Sequence, residues 1–170
     1  TWPPFESVNE QTKKLEGFDI ELMEAIAKEA GFEIKWVNVS WDPLLAGMAT
    51  GQYDAAIAVM TVTEERKAKW LFSEPYYNAG QLVAVRIDNT DINSHTDLKG
   101  KTAGAQIGTT GAMEIEKIEG ATLKNYDDIG QAFMDLMNGQ IDAVVADSPL
   151  VRGYVGKNPD KIKAVGDVFT

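Results

Sequence analysis

Apolar positions along the chain follow two different periods. Between Phe18 and Ala30 the apolar residues recur every four positions, which predicts a helix that Gly31 ends. Unbroken apolar runs, typical of strands buried on both faces of a parallel sheet, occupy three segments: 55–60, 82–85 and 143–146. The alternation of helical and strand patterns indicates an α/β fold.

Shorter patterns fill the intervals between these elements. Two further strands are predicted by their apolar spacing: 34–37 and 102–107. Helix starts are predicted at Asp42, at Asp127 or Asp128, and at Ser148, because a side chain that can cap a helix precedes an apolar helical pattern. Pro follows directly after Asp42 and Ser148, as is common at the first helical position.

One pattern, Gly-Gln-x-Asp-Ala-x-x-Ala, occurs twice, at 51–58 and at 139–146. Each copy follows a helical pattern and opens an apolar run. Helix–Gly–strand units recur in any α/β protein, so the repeat can be a consequence of the fold class alone. The closer interpretation is two similarly built lobes, and the polar stretch 86–93 predicts the boundary between them.

Polar side chains with complementary charges follow the predicted strands. In open α/β sheets, ligands lie beyond the carboxyl ends of the strands. Arg66 offers a two-pronged donor that matches a carboxylate. Thr109 and Thr110 lie in a turn that opens a helix, where backbone N–H groups favour an anion, and Asp147 offers a carboxylate for an ammonium. Together these groups complement the zwitterion of an α-amino acid.

Each of these signals has an ordinary structural alternative. An arginine after Thr-Glu-Glu can be a solvated helix residue, Gly-Thr-Thr-Gly can be a plain strand–helix turn, and Asp147 can cap the helix that follows it. Trp2 and Trp41, both expected in loops, can be stacking platforms for a ligand or can pack a loop against a helix. The placement of all these groups at strand ends favours the binding interpretation.

Composition narrows the function classes. The 170 residues include 16 Lys and Arg, 26 Asp and Glu, one His and no Cys, and the net charge of −10 argues against a nucleic-acid partner. Thiolate chemistry and Cys- or His-rich metal sites are excluded, so neither a cofactor nor a metal is expected. No apolar run approaches the roughly 20 residues of a membrane span, and the start at Thr1 without a signal-peptide pattern indicates a mature or excerpted sequence.

The sequence resembles the periplasmic or lipid-anchored solute-binding proteins of ABC transporters for polar amino acids, of the family 3 type. The motifs that carry this resemblance lie in the family's order over the entire chain: WPPFE at 2–6, GFDIEL at 17–22, MTVTEER at 60–66, FSEPYY at 72–77, DLKGK at 97–101, GTTG at 108–111 and DAVVADS at 142–148.

The resemblance implies an α/β fold of the two-lobed, periplasmic-binding-protein-like (type II) clamshell. Lobe 1 is expected at 1–86, lobe 2 at 87–166, and the start of a second hinge crossing at 167–170. The family has a strand before the position of Thr1 and further residues after that of Thr170. We therefore expect lobe 1 to be incomplete at both chain ends, and a second chain or copy can complete it.

The resemblance also assigns a ligand to the candidate residues. It implies that Arg66 and the Thr110 amide, in the turn with Thr109, hold the α-carboxylate. The Ala58 backbone and Thr61 contact the α-amino end, and Asp147 pairs with the ammonium.

Four further positions follow from the same resemblance. Trp2 and Trp41 flank the ligand side chain. Gln106 stands at a position that varies with specificity. Val59 stands where the family usually has a small residue, which affects how closely the backbone can approach the ligand.

The implied function is a non-catalytic extracytoplasmic receptor that delivers a free polar amino acid to the permease of an ABC transporter. The acidic balance and the two Trp residues favour arginine or lysine, and glutamine is the alternative. The expected location is the periplasm, or the outer face of the membrane as a lipoprotein. Two alternatives remain open: a periplasmic dehydratase-type enzyme on the same fold, and the ligand-sensing domain of a signalling receptor.

Overall fold

The computed structural model describes residues 1–169 of the chain. These residues fall into two compact units, of which the first is Thr1–Tyr76 and the second begins at Tyr77. The strand predicted at 82–85 was expected at the end of lobe 1, in 1–86. The structure groups it with the second unit, because it pairs on both sides with strands of that unit.

The first unit contains a short hairpin and three helices. Its elements are β1 (Ser7–Val8), β2 (Leu15–Glu16), α1 (Phe18–Ala30), α2 (Trp41–Ala49) and α3 (Glu64–Lys67). The two strands pair antiparallel. Gly31 ends α1 in the left-handed conformation, with φ of 76°, and its N–H donates to the carbonyl of Ala27, as the sequence predicted. Ser40 rather than Asp42 precedes α2, so the predicted start was late.

The apolar stripe of α1 is only partly covered within the first unit. Phe18 and Ile26 are 46 % and 45 % exposed, whereas Asp19, Ile20 and Ala27 are buried. The helix was predicted correctly, but its buried face is not the stripe that contains Phe18 and Ile26.

Two segments of the first unit that were predicted as strands are not strands. Residues 34–37 and 55–60 form no ladder with any neighbour in the described part of the chain. An apolar run indicates that a segment can be buried, but a strand also needs a neighbouring strand to pair with its backbone N–H and C=O groups. These two predictions were therefore wrong for lack of a paired strand.

The second unit is a five-stranded mixed sheet with helices packed on it. Its strands are β3 (Gln81–Arg86), β4 (Thr102–Gln106), β5 (Thr122–Tyr126), β6 (Ala143–Asp147) and β7 (Ile162–Phe169). Their order across the sheet is β5-β4-β6-β3-β7. The strand β4 pairs parallel with β5 and β6, and β3 pairs antiparallel with β6 and β7. Three α-helices complete the unit: α4 (Thr110–Glu116), α5 (Ile129–Met137) and α6 (Ser148–Lys157).

The core of the second unit lies on the central strands. Alternate residues of β3, β4 and β6, such as Val83, Ala103 and Val145, pack in one buried cluster with Ile115 of α4. Since the residues between them are also nearly inaccessible, the strands are buried on both faces, as their unbroken apolar runs predicted. Residues 167–169, expected to begin a hinge crossing, continue β7; Thr170 lies outside the described residues.

Candidate functional site

Four predicted site residues of the second unit lie where its parallel strands end. Gln106 is the last residue of β4 and Asp147 is the last residue of β6. Because these strands run parallel, their carboxyl ends lie at the same end of the sheet. Thr109 precedes α4 and Thr110 is its first residue. The structure therefore brings Gln106, Thr109, Thr110 and Asp147 to the same end of this sheet.

A buried glutamine, which sequence reasoning missed, connects two of these residues. The side-chain amide of Gln81 donates to Oδ1 of Asp147 at 2.7 Å and to Oγ1 of Thr110 at 3.0 Å. Gln81 is 3 % exposed and Asp147 is 8 % exposed. A polar residue at the start of an apolar run was the only sequence signal for Gln81, and that signal does not reveal its partners.

The turn before α4 is held by its own contacts. The Thr109 hydroxyl donates to the Gln106 carbonyl at 2.7 Å, and the Gln106 side-chain amide donates to the Asp127 carbonyl at 2.9 Å. A Cβ added to Gly111 would lie 2.5 Å from the carbonyl oxygen of Val145. Glycine at this position therefore allows α4 to approach β6 closely, which places Thr110 near the end of that strand.

In the first unit, three predicted residues come together around one guanidinium. Arg66 is 6 % exposed, and its Nη1 donates to the Thr61 carbonyl at 2.9 Å. Its guanidinium carbon lies 5.6 Å from the ring centroid of Trp41, within cation–π range. Thr63 caps α3 by accepting from the Arg66 backbone N–H at 3.2 Å. Arg66 is therefore a buried, oriented donor and not the solvated helix residue of the alternative interpretation.

Val59 and its neighbour Ala58 lie in a backbone segment that a buried carboxylate anchors. Val59 has a φ of 51°, in the left-handed region that β-branched residues rarely adopt. Its N–H donates to Oδ2 of Asp19 at 3.2 Å, and the Tyr76 hydroxyl donates to the same oxygen at 3.1 Å. Sequence reasoning did not identify Asp19 or Tyr76 as site residues, although they lie in the GFDIEL and FSEPYY motifs.

The anchor itself is electrostatically unfavourable. Asp19 is inaccessible to solvent, and its Oδ1 has no hydrogen-bond partner. Burial raises the pKa of Asp19, and the hydrogen bonds from Tyr76 and Val59 oppose that shift. Burial and the charge of Asp19 raise the pKa of Tyr76. The carboxylate thus holds the Val59 backbone at an energetic cost.

The two tryptophans are half-buried, with unsatisfied indole N–H groups. Nε1 of Trp2 and Nε1 of Trp41 are buried and have no hydrogen-bond partner. Trp2 lies at the start of a tight turn in which its backbone N–H donates to the Glu6 carbonyl at 3.0 Å. Trp41 is the first residue of α2, so its predicted loop position was wrong, and its ring lies within cation–π range of Arg66.

Residues 1–169 contain neither a metal-binding cluster nor a membrane-spanning helix. No group of three or more His, Cys, Asp or Glu side chains in this range could hold a metal ion. No helix there is both long and apolar enough to cross a bilayer.

Known proteins resemble this chain along nearly all of it. A "Probable histidine-binding protein" of Campylobacter jejuni is 34 % identical over 163 residues, which are 95 % of this chain and 64 % of the relative. A solved ancestral arginine-binding protein bound to arginine is 40 % identical, with a TM-score of 0.93 over 99 % of this chain and 76 % of its own. The ancestral arginine-binding protein solved with glutamine is 41 % identical, with a TM-score of 0.93 over 100 % and 76 % of the two chains.

These matches show the fold class and the family. The chain spans 64 % of the length of the histidine-binding relative. It has the periplasmic-binding-protein-like α/β fold of the solved arginine-binding proteins. The family model "Bacterial extracellular solute-binding proteins, family 3" matches residues 1–157. The chain therefore belongs to the family 3 bacterial extracellular solute-binding proteins.

Proposed function

We propose that this chain is the ligand-binding part of a receptor that captures a free polar amino acid and delivers it to the permease of an ABC transporter. The observation that carries the proposal is the pair of buried, oppositely charged groups in the two units. Arg66, held by the Thr61 carbonyl and Trp41, offers a donor fork for an α-carboxylate. Asp147, held by Gln81, offers an acceptor for an α-ammonium.

The remaining candidate residues have supporting roles in this proposal. The Ala58 backbone and Thr61 contact the amino end of the ligand, and the Thr110 amide, in the turn with Thr109, holds the α-carboxylate together with Arg66. Val59 affects how closely the backbone can approach the ligand. Trp2 and Trp41 flank the ligand side chain, and Gln106 adjusts specificity.

The proposed ligand is arginine or lysine, with glutamine as the alternative. A net charge of −10 attracts cations, and a guanidinium or ammonium group binds favourably when it lies above the face of a Trp ring. Solved relatives were captured with arginine and with glutamine, which supports both choices. Mass spectrometry of the ligand released from purified protein, followed by calorimetric titration of the stripped protein with L-arginine, L-lysine and L-glutamine, tests the proposal. Binding of none of the three would overturn it.

The family and the relatives are solute-binding proteins and not enzymes. The family is extracellular by its description. We infer in addition that this protein is periplasmic or held on the outer face of the membrane by a lipid. Cell fractionation with metabolic palmitate labelling separates the two: label on the protein indicates the lipid anchor, and its absence indicates a soluble periplasmic form.

We also propose that a strand from outside these residues, in a second chain or a second copy, completes the first unit. A groove of about 810 Å³ lies in that unit, and its lining includes Ile20, Met23, Trp36, Ala55 and Ile57. The segments 34–37 and 55–60 lie along it without ladder partners in the described part of the chain. An added strand beside 55–60 would supply those partners.

A further inference from the structure

We propose that Gln81 is a positioning residue of the ligand site: its side-chain amide orients the Asp147 carboxylate and sets the direction of the Thr110 hydroxyl. This inference rests on the proposed function for the meaning of those two groups. It goes further in assigning a role to a residue that is not among the proposed ligand contacts.

The backbone places Gln81 opposite Asp147. Gln81 is the first residue of β3 and Asp147 the last of β6, and the antiparallel register pairs the two directly. Side chains of directly paired residues on adjacent strands lie on the same face of the sheet. From this position the amide nitrogen of Gln81 spans to Asp147 at 2.7 Å and to Thr110 of α4 at 3.0 Å.

Hydrogen-bond chemistry decides which end of the Gln81 amide faces its two partners. A carboxylate only accepts hydrogen bonds, so the amide nitrogen of Gln81, and not its oxygen, faces Asp147. The nitrogen carries two hydrogens, and both are used, one for Asp147 and one for Thr110. Because Oγ1 of Thr110 accepts from Gln81, the hydroxyl hydrogen of Thr110 points away from Gln81. The amide therefore sets the direction of the Thr110 hydroxyl.

The Gln81 amide is buried with one of its own polar atoms unsatisfied. Gln81 is 3 % exposed, and its Oε1 is buried without a hydrogen-bond partner. A buried acceptor without a partner is unfavourable, and the compensation at this place is the pair of hydrogen bonds that the amide donates to Asp147 and Thr110. The neighbours along β3, Leu82 and Val83, are apolar and almost fully buried. The exception at Gln81 coincides with the two groups that the amide orients.

A double-mutant cycle tests the inference in calorimetric titrations with L-arginine, L-lysine and L-glutamine. Gln81→Met keeps the length and removes the amide, and we expect a loss of about ten- to hundredfold in affinity. In the Asp147→Asn background, Gln81→Met should lower the affinity less than about threefold, because the carboxylate that Gln81 orients is already absent. Gln81→Glu, which places a second carboxylate against Asp147, should bind more weakly than Gln81→Met.

The controls separate positioning from folding. Gln131→Met, on the exposed side of α5, should change neither affinity nor melting temperature. An equal loss from Gln81→Met in both backgrounds, or no loss in the wild-type background, would overturn the positioning role.

A crystal structure of the Gln81→Met protein gives a readout that does not depend on the ligand. We expect the Asp147 carboxylate and the Thr110 hydroxyl to adopt new rotamers. If the Asp147 carboxylate and the Thr110 hydroxyl keep their positions in the Gln81→Met protein, the positioning role is wrong, whatever the affinity of the variant for the ligand. If they move but the wild-type protein binds none of the three amino acids, the proposed function fails and the positioning role of Gln81 stands.

Discussion

Asp147 and Val59 illustrate two ways of holding a candidate ligand-binding group. In the second unit, Asp147 is fixed by its register in a sheet whose central strands are buried on both faces, and a neutral amide completes its orientation. In the first unit, Val59 lies in a segment without a ladder, in the left-handed region, and its N–H is held by the carboxylate of Asp19.

The two arrangements respond differently to perturbation. Backbone pairing distributes the restraint over many hydrogen bonds, so a single side-chain change in the second unit should alter the site and spare the fold. In the first unit a few buried polar contacts restrain the segment 58–61, so changes there should affect conformation and binding together. The raised pKa of the buried Asp19 carboxylate also makes the stability of the first unit depend on pH.

Hydrogen exchange should show the largest difference between the units. The amides of β3 and β6 are expected to exchange at least about a thousandfold more slowly than those of 34–37 and 55–60, because only the former lie in a buried ladder. Mass spectrometry of the 170-residue chain measures both sets. Protection at 55–60 that appears only when a second copy or chain is bound would support the added strand.

Because 34–37 and 55–60 have no ladder partners in the described residues, we expect that the 170-residue protein does not bind an amino acid as a cooperatively melting monomer. Analytical ultracentrifugation, melting and ligand titration of the 170-residue protein provide the check. A monomer that melts cooperatively and binds an amino acid would contradict the proposed added strand.

Replacement of Arg66 should have the largest effect on binding. We expect Arg66→Ala to weaken amino-acid binding by roughly thirty- to several-thousandfold, or about 2–5 kcal/mol, because a buried charge-assisted pair is lost. Arg66→Lys, which keeps the charge without the fork, should bind at an intermediate level. Lys67→Ala, on the exposed side of the same helix, is the matched control for calorimetry and melting. An unchanged affinity in Arg66→Ala would remove Arg66 from the site.

Replacement of Asp147 should have a smaller effect on binding and little on the fold. Asp147→Asn is expected to cost about 1.5–3 kcal/mol of binding free energy, since a charged partner of the ammonium becomes neutral. Asp147 precedes α6 without making a side-chain cap, whereas Asp128 caps α5 by accepting from Gly130. Asp128→Ala, which removes the oxygen that accepts from Gly130, should therefore lower the melting temperature and leave affinity unchanged. The reverse pattern in the two variants would identify Asp147 as a structural residue.

The smallest expected effect concerns Asp19. Its raised pKa means that the folded state binds the proton more tightly than the unfolded state, so its contribution to stability is present below the ordinary pKa of 3.8 and is lost as the pH rises through the folded value. Glu6, whose pKa burial also raises and which Asp19 repels, acts in the same direction.

Asp19→Asn should accordingly flatten the dependence of melting temperature on pH. The amide oxygen can still accept from Val59 and Tyr76, so we expect a gain on the order of 2–4 °C at pH 7. Thermal melts of both proteins between pH 4 and 8 provide the measurement. Parallel pH curves would show that Asp19 is not the group that titrates.

Strands that are buried on both faces could be predicted from the sequence, because they appear there as unbroken apolar runs. The runs at 82–85 and 143–146 are β3 and β6, and Gly31 ends α1 as expected. The strands β5 and β7 were missed, since they are partly exposed and carry no unbroken apolar run. The run at 55–60 has the same pattern as β6 but no neighbouring strand in residues 1–169, and pattern alone could not distinguish them.

The sequence by itself determined the residue types available for the site: a guanidinium after one apolar run, a carboxylate after another, and two threonines in a turn. It also determined most local elements, because helix and strand periods and helix ends depend on residues a few positions apart. Tertiary structure alone decided that Gln81 lies opposite Asp147, and that Asp19 holds Val59. The physical reason is that both contacts join residues 66 and 40 positions apart, where strand register and helix packing, not local preference, set the distance.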